Sequence, residues 1–283
     1  MSEPIKNRYD FVFFFDVKDG NPNGDPDQIN LPRTDAEDQH GLVTDVCIKR
    51  KVRNYVMLEK GNNAPYDIFI RQKQVLGTII DTAKGEDIEK RQESLCEQYY
   101  DIRTFGAVLS VGEKGAGTVR GPVQFTFSRS EDRIYQAEHS ITRCAVTTEE
   151  EAKKQEKREF ASTFGRKATV PYALYRMHGY ISAVDARKTK FSEDDLKLLW
   201  KSLINAFEND RAAARGEMNP RKLVIFKHDS HLGCELAGRL FERISVKKNA
   251  ELPRGIADYE INVDKTKLPT GVEVKVWPED KIF

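Results

Sequence analysis

Apolar residues run almost unbroken from residue 9 to 17, Tyr-Asp-Phe-Val-Phe-Phe-Phe-Asp-Val, and turn residues follow at once. A short aromatic run bounded in this way predicts a buried strand. Gly20, Pro22, Gly24, Pro26 and Pro32 then punctuate a long loop. From residue 44 to about 59 the spacing turns helical, with Thr44 or Asp45 as N-cap. The polar stretch 81–100 predicts a short helix at 86–99. Residues 105–111 and 119–128 predict two strands around the glycine-rich connection 112–117, and Pro122 makes the second begin late or lie on an edge. The charged segment 149–159 predicts a helix, with Glu149 and Glu150 four residues before Lys153 and Lys154. Residues 172–182 predict another strand. From residue 192 to about 210 an amphipathic helix is expected, capped by Ser192 and striped by Leu196, Leu199, Leu203 and Phe207. A short strand at 223–227, a helix at about 234–243 and a weakly ordered tail complete the reading.

In order, the main elements read β-α-β-β-α-β with long excursions, the ferredoxin-like or RRM-like plan of an α+β fold. The chain of 283 residues is long for one minimal domain and short for two large ones. It reads as one domain, 1–283, enlarged by insertions. Hydrophobic residues make up 39%, enough for a core, and charged residues 32%. The 46 basic and 45 acidic side chains nearly cancel, so a simple nucleic-acid argument from net charge fails and clustering has to decide. Cys47, Cys96, Cys144 and Cys234 lie far apart with no CxxC, which excludes a disulfide framework or thiolate zinc site and fits reduced thiols in the cytoplasm. The polar N-terminus does not resemble a signal peptide. No window approaches the ~20 apolar residues of a membrane span, so a cytoplasmic protein without membrane contact is expected.

The helix opening at Thr44 carries the clearest chemical signal. Ile48, Val52, Tyr55 and Val56 fall on one side, Lys49, Arg50 and Arg53 on the other, with Lys51 near the edge. Such a face can follow a phosphate backbone, each cation displacing a condensed counterion. An ordinary solvated basic face gives the same pattern. In the preceding loop Asp19, Asn21, Asn23 and Gly24 match the first half of a calcium loop, but the twelfth position is Asn30 rather than a bidentate Glu and a strand precedes it. A tight turn whose amides touch phosphate or sugar is the better reading. Asp16, Asp25, Asp27 and Asp35 could hold magnesium for phosphodiester cleavage, although their spacing follows no motif.

Other motifs are weaker. The connection 112–117 lacks the order of a Walker loop, since Lys114 precedes Gly115. In the excursion before residue 172, Arg143 and the aromatics Phe160 and Phe164 stand near Arg166 and Lys167, a mixture that suits base stacking plus phosphate contact. The same aromatics would equally anchor the excursion to the domain. His228, His231 and Cys234 have a hint of metal-ligand spacing without a fourth ligand. Arg211-Ala-Ala-Ala-Arg215-Gly216 ends the second major helix with cations and small residues, which would let a backbone approach RNA.

Together these features resemble the repeated RAMP-type backbone subunit of type I-C CRISPR Cascade complexes. The likeness rests on Phe-Asp-Val-x-x-Gly-Asn-Pro-Asn-Gly-Asp-Pro-Asp (15–27), Gly-Leu-Val-Thr-Asp-Val-Cys-Ile-Lys-Arg-Lys-Val-Arg-Asn (41–54) and Tyr-Asp-Ile-Arg-Thr-Phe-Gly-Ala-Val (100–108). It continues through Val-Arg-Gly-Pro-Val-Gln (119–124), His-Ser-Ile-Thr-Arg (139–143), Phe-Gly-Arg-Lys (164–167) and Phe-Glu-x-Asp-Arg-x-Ala-Ala-Arg-Gly-x-Met (207–218). Residues 60–98 and 245–283 carry little of it. The resemblance implies an RRM-like palm, a finger or web insertion at about 60–118 and a thumb hairpin at about 141–171. It implies copies that polymerise as a filament along crRNA, hold its phosphates and present the spacer to target DNA in antiviral defence, without chemistry of their own or a cofactor. The implied partners are the crRNA-processing endonuclease subunit, the large and small Cascade subunits and a recruited helicase-nuclease. The RNA contacts expected are Asn21, Asn23, Arg33, Thr44, Lys49, Arg50, Arg53, Arg120, Arg143, Phe164, Arg166, Lys167 and Arg215, with Phe164 as the wedge between bases. Some relatives in type III complexes cut RNA with an aspartate in the loop before this helix, so a metal-dependent ribonuclease is the alternative.

Overall fold

Strand β1 (Tyr9–Gly20) is buried on both faces through residue 17, and the remaining elements are placed by the need to cover it. The computed structural model describes every residue except Met1, Glu113, Arg143, Cys144, Thr147 and 157–163, and only the backbone of Glu151, 154–156 and Phe164. Phe11, Phe13, Phe15 and Val17 project to one face and Val12 and Phe14 to the other, the alternation of a pleated strand. The loop after β1 holds two short paired strands, β2 (Gly24–Asp25) and β3 (Leu31–Pro32). Strand β4 (His40–Val43) then leads into α1 (Asp45–Lys60), whose Ile48, Val52 and Val56 pack on the first face of β1.

An inserted block follows: α2 (Leu76–Asp81), α3 (Ile88–Gln98), α4 (Tyr100–Phe105) and the hairpin of β5 (Gly106–Leu109) and β6 (Gly117–Arg120). It has a core of its own around Phe69, Leu95, Tyr99, Ile102 and Leu109. Two buried ion pairs fasten it to the rest, Arg53 with Asp101 and Arg103 with Asp195. Arg103 donates through Nε and Nη2 to Asp195 at 3.0 and 2.8 Å and through Nη1 to the carbonyl of Cys96 at 2.6 Å. Each of these donors would be costly to leave unpaired inside the protein.

Pro122 interrupts the expected second strand, which divides into β6, β7 (Val123–Phe125) and β8 (Ser128–Arg133). Strand β9 (Ala137–Thr142) and α5 (Glu149–Glu156) precede β10 (Phe164–Ile181). The last was expected from residue 172 and starts at Phe164, because residues 164–169 pair with β9 as a ribbon before 170–181 enter the main sheet beside β1. After α6 (Ala183–Thr189), helix α7 (Glu193–Ile204) opens with a Ser192–Asp195 capping box. It stops well short of residue 210, since Ala206 and Phe207 turn into the core. Residues 211–216 are therefore loop and not helix end. Strand β11 (Glu217–His228) is longer than the expected 223–227, with Pro220 at an irregularity in its pairing with β1.

The tail is built rather than weakly ordered. It forms α8 (Ala237–Phe241), the hairpin β12 (Ile244–Lys248) and β13 (Tyr259–Val263), and β14 (Val272–Trp277). The main antiparallel sheet runs β14-β11-β1-β10-β8-β4, with β7 and β9 also paired to β10. Helices α1 and α7 cover one face; Leu240, Phe241, Ile244 and Tyr259 of the tail cover the other. Asp280 closes the edge at β14, its Oδ2 accepting from the amide of Val276 at 2.8 Å and its own amide donating to the Val276 carbonyl. Among the described residues no helix is long and apolar enough to cross a membrane.

His178 marks how firmly the tail is seated. Its ring stacks on Phe241 at 4.4 Å and 13°, and its Nε2 has no hydrogen-bond partner among the described residues. Burial, and then the Arg176 charge, pulls its pKa from 6.5 to about 4. The fold holds the ring neutral while the unfolded chain takes up a proton below 6.5, so stability is lost as the pH falls from 6.5 towards about 4. His178→Phe should flatten that part of the profile of urea midpoints against pH. Superimposable profiles for the two proteins would mean that the tail does not exclude water from this ring.

Candidate nucleic-acid interface

With both sheet faces covered, six of the thirteen expected contact residues collect at one rim, where β1 ends and α1 begins. Asn23 makes the joint: its Oδ1 accepts from both the amide and the hydroxyl of Thr44, each at 3.0 Å. Thr44 in turn caps α1, its Oγ1 accepting from the amide of Cys47 at 3.3 Å. Asn21 holds the loop shut, donating through Nδ2 to the carbonyl of Asn30 at 2.7 Å. Its amide reaches across to the carbonyl of Ala214 at 2.8 Å, so loops 20–25 and 211–216 run side by side. The contact is close enough that a Cβ on Gly20 would lie 1.8 Å from the Arg215 carbonyl oxygen.

Asp210 is the electrostatic centre of this rim. It receives Lys51, a side chain only 2% exposed, and the Nη1 of Arg215 at 2.7 Å. Lys167, at the root of the β9–β10 ribbon, donates to the carbonyl of Ala213. Arg33 lies at the same place, its Nη1 3.5 Å from Asp25. Burial raises the Cys47 thiol above its ordinary pKa, against the opposing influence of Lys51, Arg215 and Arg33. Asn21, Asn23, Arg33, Thr44, Lys167 and Arg215 thus come together from four separate stretches of sequence.

The basic face of α1 needs correction. Lys49 is partly exposed and pairs with Asp45 at 2.8 Å, one turn earlier. Arg50 donates to the carbonyl of Ile70 at 2.8 Å, and its pKa is lowered by burial first and by neighbouring Arg53 second. Arg53 is no surface cation: its Nε donates to Asp101 at 2.7 Å, and both side chains are buried. Asp101 also accepts from the amides of Phe69 and Ile70, so this pair ties α1 to the inserted block. Helical spacing put Arg53 on the polar side, but that side faces the inserted block and not solvent.

The other expected residues make no bond to these groups among the described residues. Arg120 is on β6, its side chain largely exposed and 3.5 Å from Asp185. Arg166 is exposed on the ribbon and has no partner among the described residues. Arg143 lies outside the described residues; Phe164 pairs its backbone with Thr142, and its side chain is outside them as well. The structure also adds Asp210 and Asp101, which sequence reasoning missed. Asp210 sits 159 residues from Lys51 and Asp101 48 residues from Arg53, and no local pattern announces these two pairings.

The metal readings dissolve in this geometry. His228 is buried, its Nε2 2.9 Å from Asp10, while its Nδ1 accepts from the amide of Cys234 at 2.9 Å. Both ring nitrogens are therefore engaged within the fold. Among the described residues no group of His, Cys, Asp or Glu is arranged to hold a metal ion. Asp16 is on the tail-covered face, accepting from Tyr172, Arg221 and Asn219. Asp25 accepts from the amide of Asp27, and Asp35 is held by Arg129, whose hydrogen bond lowers its pKa. The Asn side chains of the calcium-like loop are turned to Asn30 and Thr44.

Substitution separates the two kinds of cation on α1. Arg53→Ala leaves a buried carboxylate without its partner and should cost about 3–5 kcal/mol. Lys49→Ala breaks a pair within one helix and should cost under about 1 kcal/mol. Urea melts of both variants check this; equal losses would mean that Arg53 is not buried as described.

The chain matches the family model for CRISPR-associated protein Cas7 over residues 7–264. A protein of Haloferax volcanii, described as CRISPR-associated protein Cas7, is 25% identical over 230 residues, which is 70% of this chain and 65% of that protein. The chain thus spans a little under two thirds of the length of this curated relative. In fold it is similar to a chain of a solved CRISPR RNA-guided surveillance complex, pre-nicking, with a TM-score of 0.51 and 12% identity over 88% of this chain and 80% of the other. With the family match running through nearly every element from β1 to the β12–β13 hairpin, the chain belongs to the CRISPR-associated protein Cas7 family.

Proposed function

We propose that this chain is a backbone subunit of a CRISPR surveillance complex of the type I-C kind, polymerising along crRNA and holding its phosphates. The observation that carries the reading is the rim itself: Asn23 is bonded to Thr44, Asn21 to Asn30 and Ala214, and Arg215 to Asp210, beside partly exposed Lys49 and the ribbon with Arg166 and Lys167. Backbone amides, hydroxyls and cations on a fixed frame suit a phosphate–sugar chain and need no particular base. Base pairing of the presented spacer with target DNA then supplies sequence recognition.

On this reading strands β11, β1, β10 and β8 with α1 and α7 correspond to the βαββαβ palm. The block around α2–α4 and β5–β6 corresponds to the finger, and the β9–β10 ribbon to the thumb. Copies of the chain, the processing endonuclease, large and small subunits and a helicase-nuclease are its partners in the cytoplasm. The subunit performs no chemistry. A ribonuclease using the loop aspartates is disfavoured because Asp16 lies on the other face of the sheet while Asp25 and Asp35 each hold separate partners.

Binding of single-stranded RNA by the wild type and by Lys49→Ala/Arg166→Ala across a salt series tests the proposal. Losing two phosphate contacts should lower the slope of log affinity against log salt by roughly 1.4 and weaken binding alike for unrelated sequences. An unchanged slope would remove these cations from the interface. With magnesium present the RNA should stay intact; cleavage abolished by Asp25→Ala, Asp27→Ala or Asp35→Ala would establish the ribonuclease instead.

A further inference from the structure

Most arginines of the chain are neutralised by an acid or a carbonyl within the fold. Among the described residues Arg133, Arg166, Arg187 and Arg254 have no side-chain partner, and two of these line one cavity. It has a volume of about 340 Å³ at the root of the ribbon, between the end of β8 and the loop joining β12 to β13. Tyr172 and Tyr259 line it, their rings 6.2 Å apart and tilted by 32°. Their hydroxyls are spent on Asp16 and Asp132, so they offer it ring surface rather than hydrogen bonds. Leu252 and Tyr135, each 73% exposed, stand at its mouth. The cavity's own acid, Asp132, is already satisfied by Lys248 at 2.7 Å and by Tyr259. Asp258 fixes the backbone that carries Arg254, accepting from the amides of Arg254 and Gly255 at 2.7 and 3.1 Å.

Tyr135 has a second feature. It also lines a second cavity of about 350 Å³, with Asp35, Gln39 and Gln136. A large exposed aromatic that has no partner among the described residues, lining two hollows beside two unneutralised guanidinium groups, has the makings of a base-stacking post. Aromatic faces accept any base, and guanidinium groups take the flanking phosphates.

We propose that this cavity is a second polynucleotide contact: an unpaired base of a single strand stacks on Tyr135 and enters the cavity, while Arg133 and Arg254 hold the phosphates beside it. The inference rests on reading the chain as a polynucleotide holder, but it uses none of the rim residues. The shared chemistry is an unstacked base with its phosphates, which either the guide RNA or a target strand can supply.

The test uses the full chain and photocrosslinking oligonucleotides, a 4-thiouridine RNA and a 4-thiothymidine DNA, free and as a guide–target pair. The crosslinked peptide should contain Tyr135, Tyr172 or Tyr259, and the labelled strand that gives it identifies the source. Tyr135→Ala/Arg133→Ala/Arg254→Ala should weaken single-strand binding on the order of ten-fold or more. Its salt slope should fall by roughly 1.4. The Lys49→Ala/Arg166→Ala protein should keep the cavity crosslink, so the rim and the cavity fail or stand separately. No crosslink here, with affinity and slope unchanged in the triple variant, overturns the inference while leaving the rim intact. If poly-glutamate competes as well as an oligonucleotide of equal charge and Tyr135→Ala alone has no effect, the patch is a docking surface for an acidic protein, and the inference is also overturned. A chain that binds no single strand at all overturns both readings.

Discussion

The burial of β1 on both faces is the constraint from which the rest of the molecule follows. An aromatic strand with Phe11, Phe13 and Phe15 on one side and Val12 and Phe14 on the other cannot leave either face to water. Helices α1 and α7 meet the first demand. The tail meets the second, with Leu240, Phe241, Ile244 and Tyr259 laid on the surface that an open sheet would offer to a ligand. On the proposed function, a polynucleotide is therefore left the rims. The rim at the end of β1 is where the loop, the start of α1, loop 211–216 and the ribbon root converge.

Near-neutral overall charge and a nucleic-acid role are compatible because most of the cations are consumed within the fold. Arg53 and Arg103 are bound in buried ion pairs that join the inserted block to α1 and α7. Lys51 and Arg215 share Asp210, which pins the loop beside Gly20. Such charges shape the surface without belonging to it. Among the arginines that have no partner among the described residues, Arg166 on the ribbon and Arg133 and Arg254 at its root mark surfaces where a polyanion can displace counterions rather than break the fold.

The strong periodicities were legible in the sequence: the strand at 9–17, the Thr44 cap, the capped and striped helix after Ser192 and the break at Pro122. What local pattern could not show was pairing. The start of β10 at Phe164 depends on β9, and the length of β11 on β1. The tail looked weakly ordered because its apolar residues are few; Val272, Val274 and Val276 alternate, yet only the neighbouring β11 makes them a strand. The same limit applied to the site. Asn21, Asn23 and Thr44 were readable as turn and cap residues, whereas Asp210 and Asp101 act on cations far away in the chain. Arg53 was misplaced for that reason: helical spacing gives the side of a helix but not what packs against it.

Hydrogen exchange followed by mass spectrometry, with and without single-stranded RNA, tests most directly whether the rim rather than the sheet face holds the strand. Slowed exchange is expected in residues 18–34, 44–50 and 211–216, with the tail segment 237–246, from α8 into β12, unchanged on its face of the sheet. Protection absent from the rim, or faster exchange in 237–246 as the tail lifts to admit RNA onto β1 and β10, would contradict it.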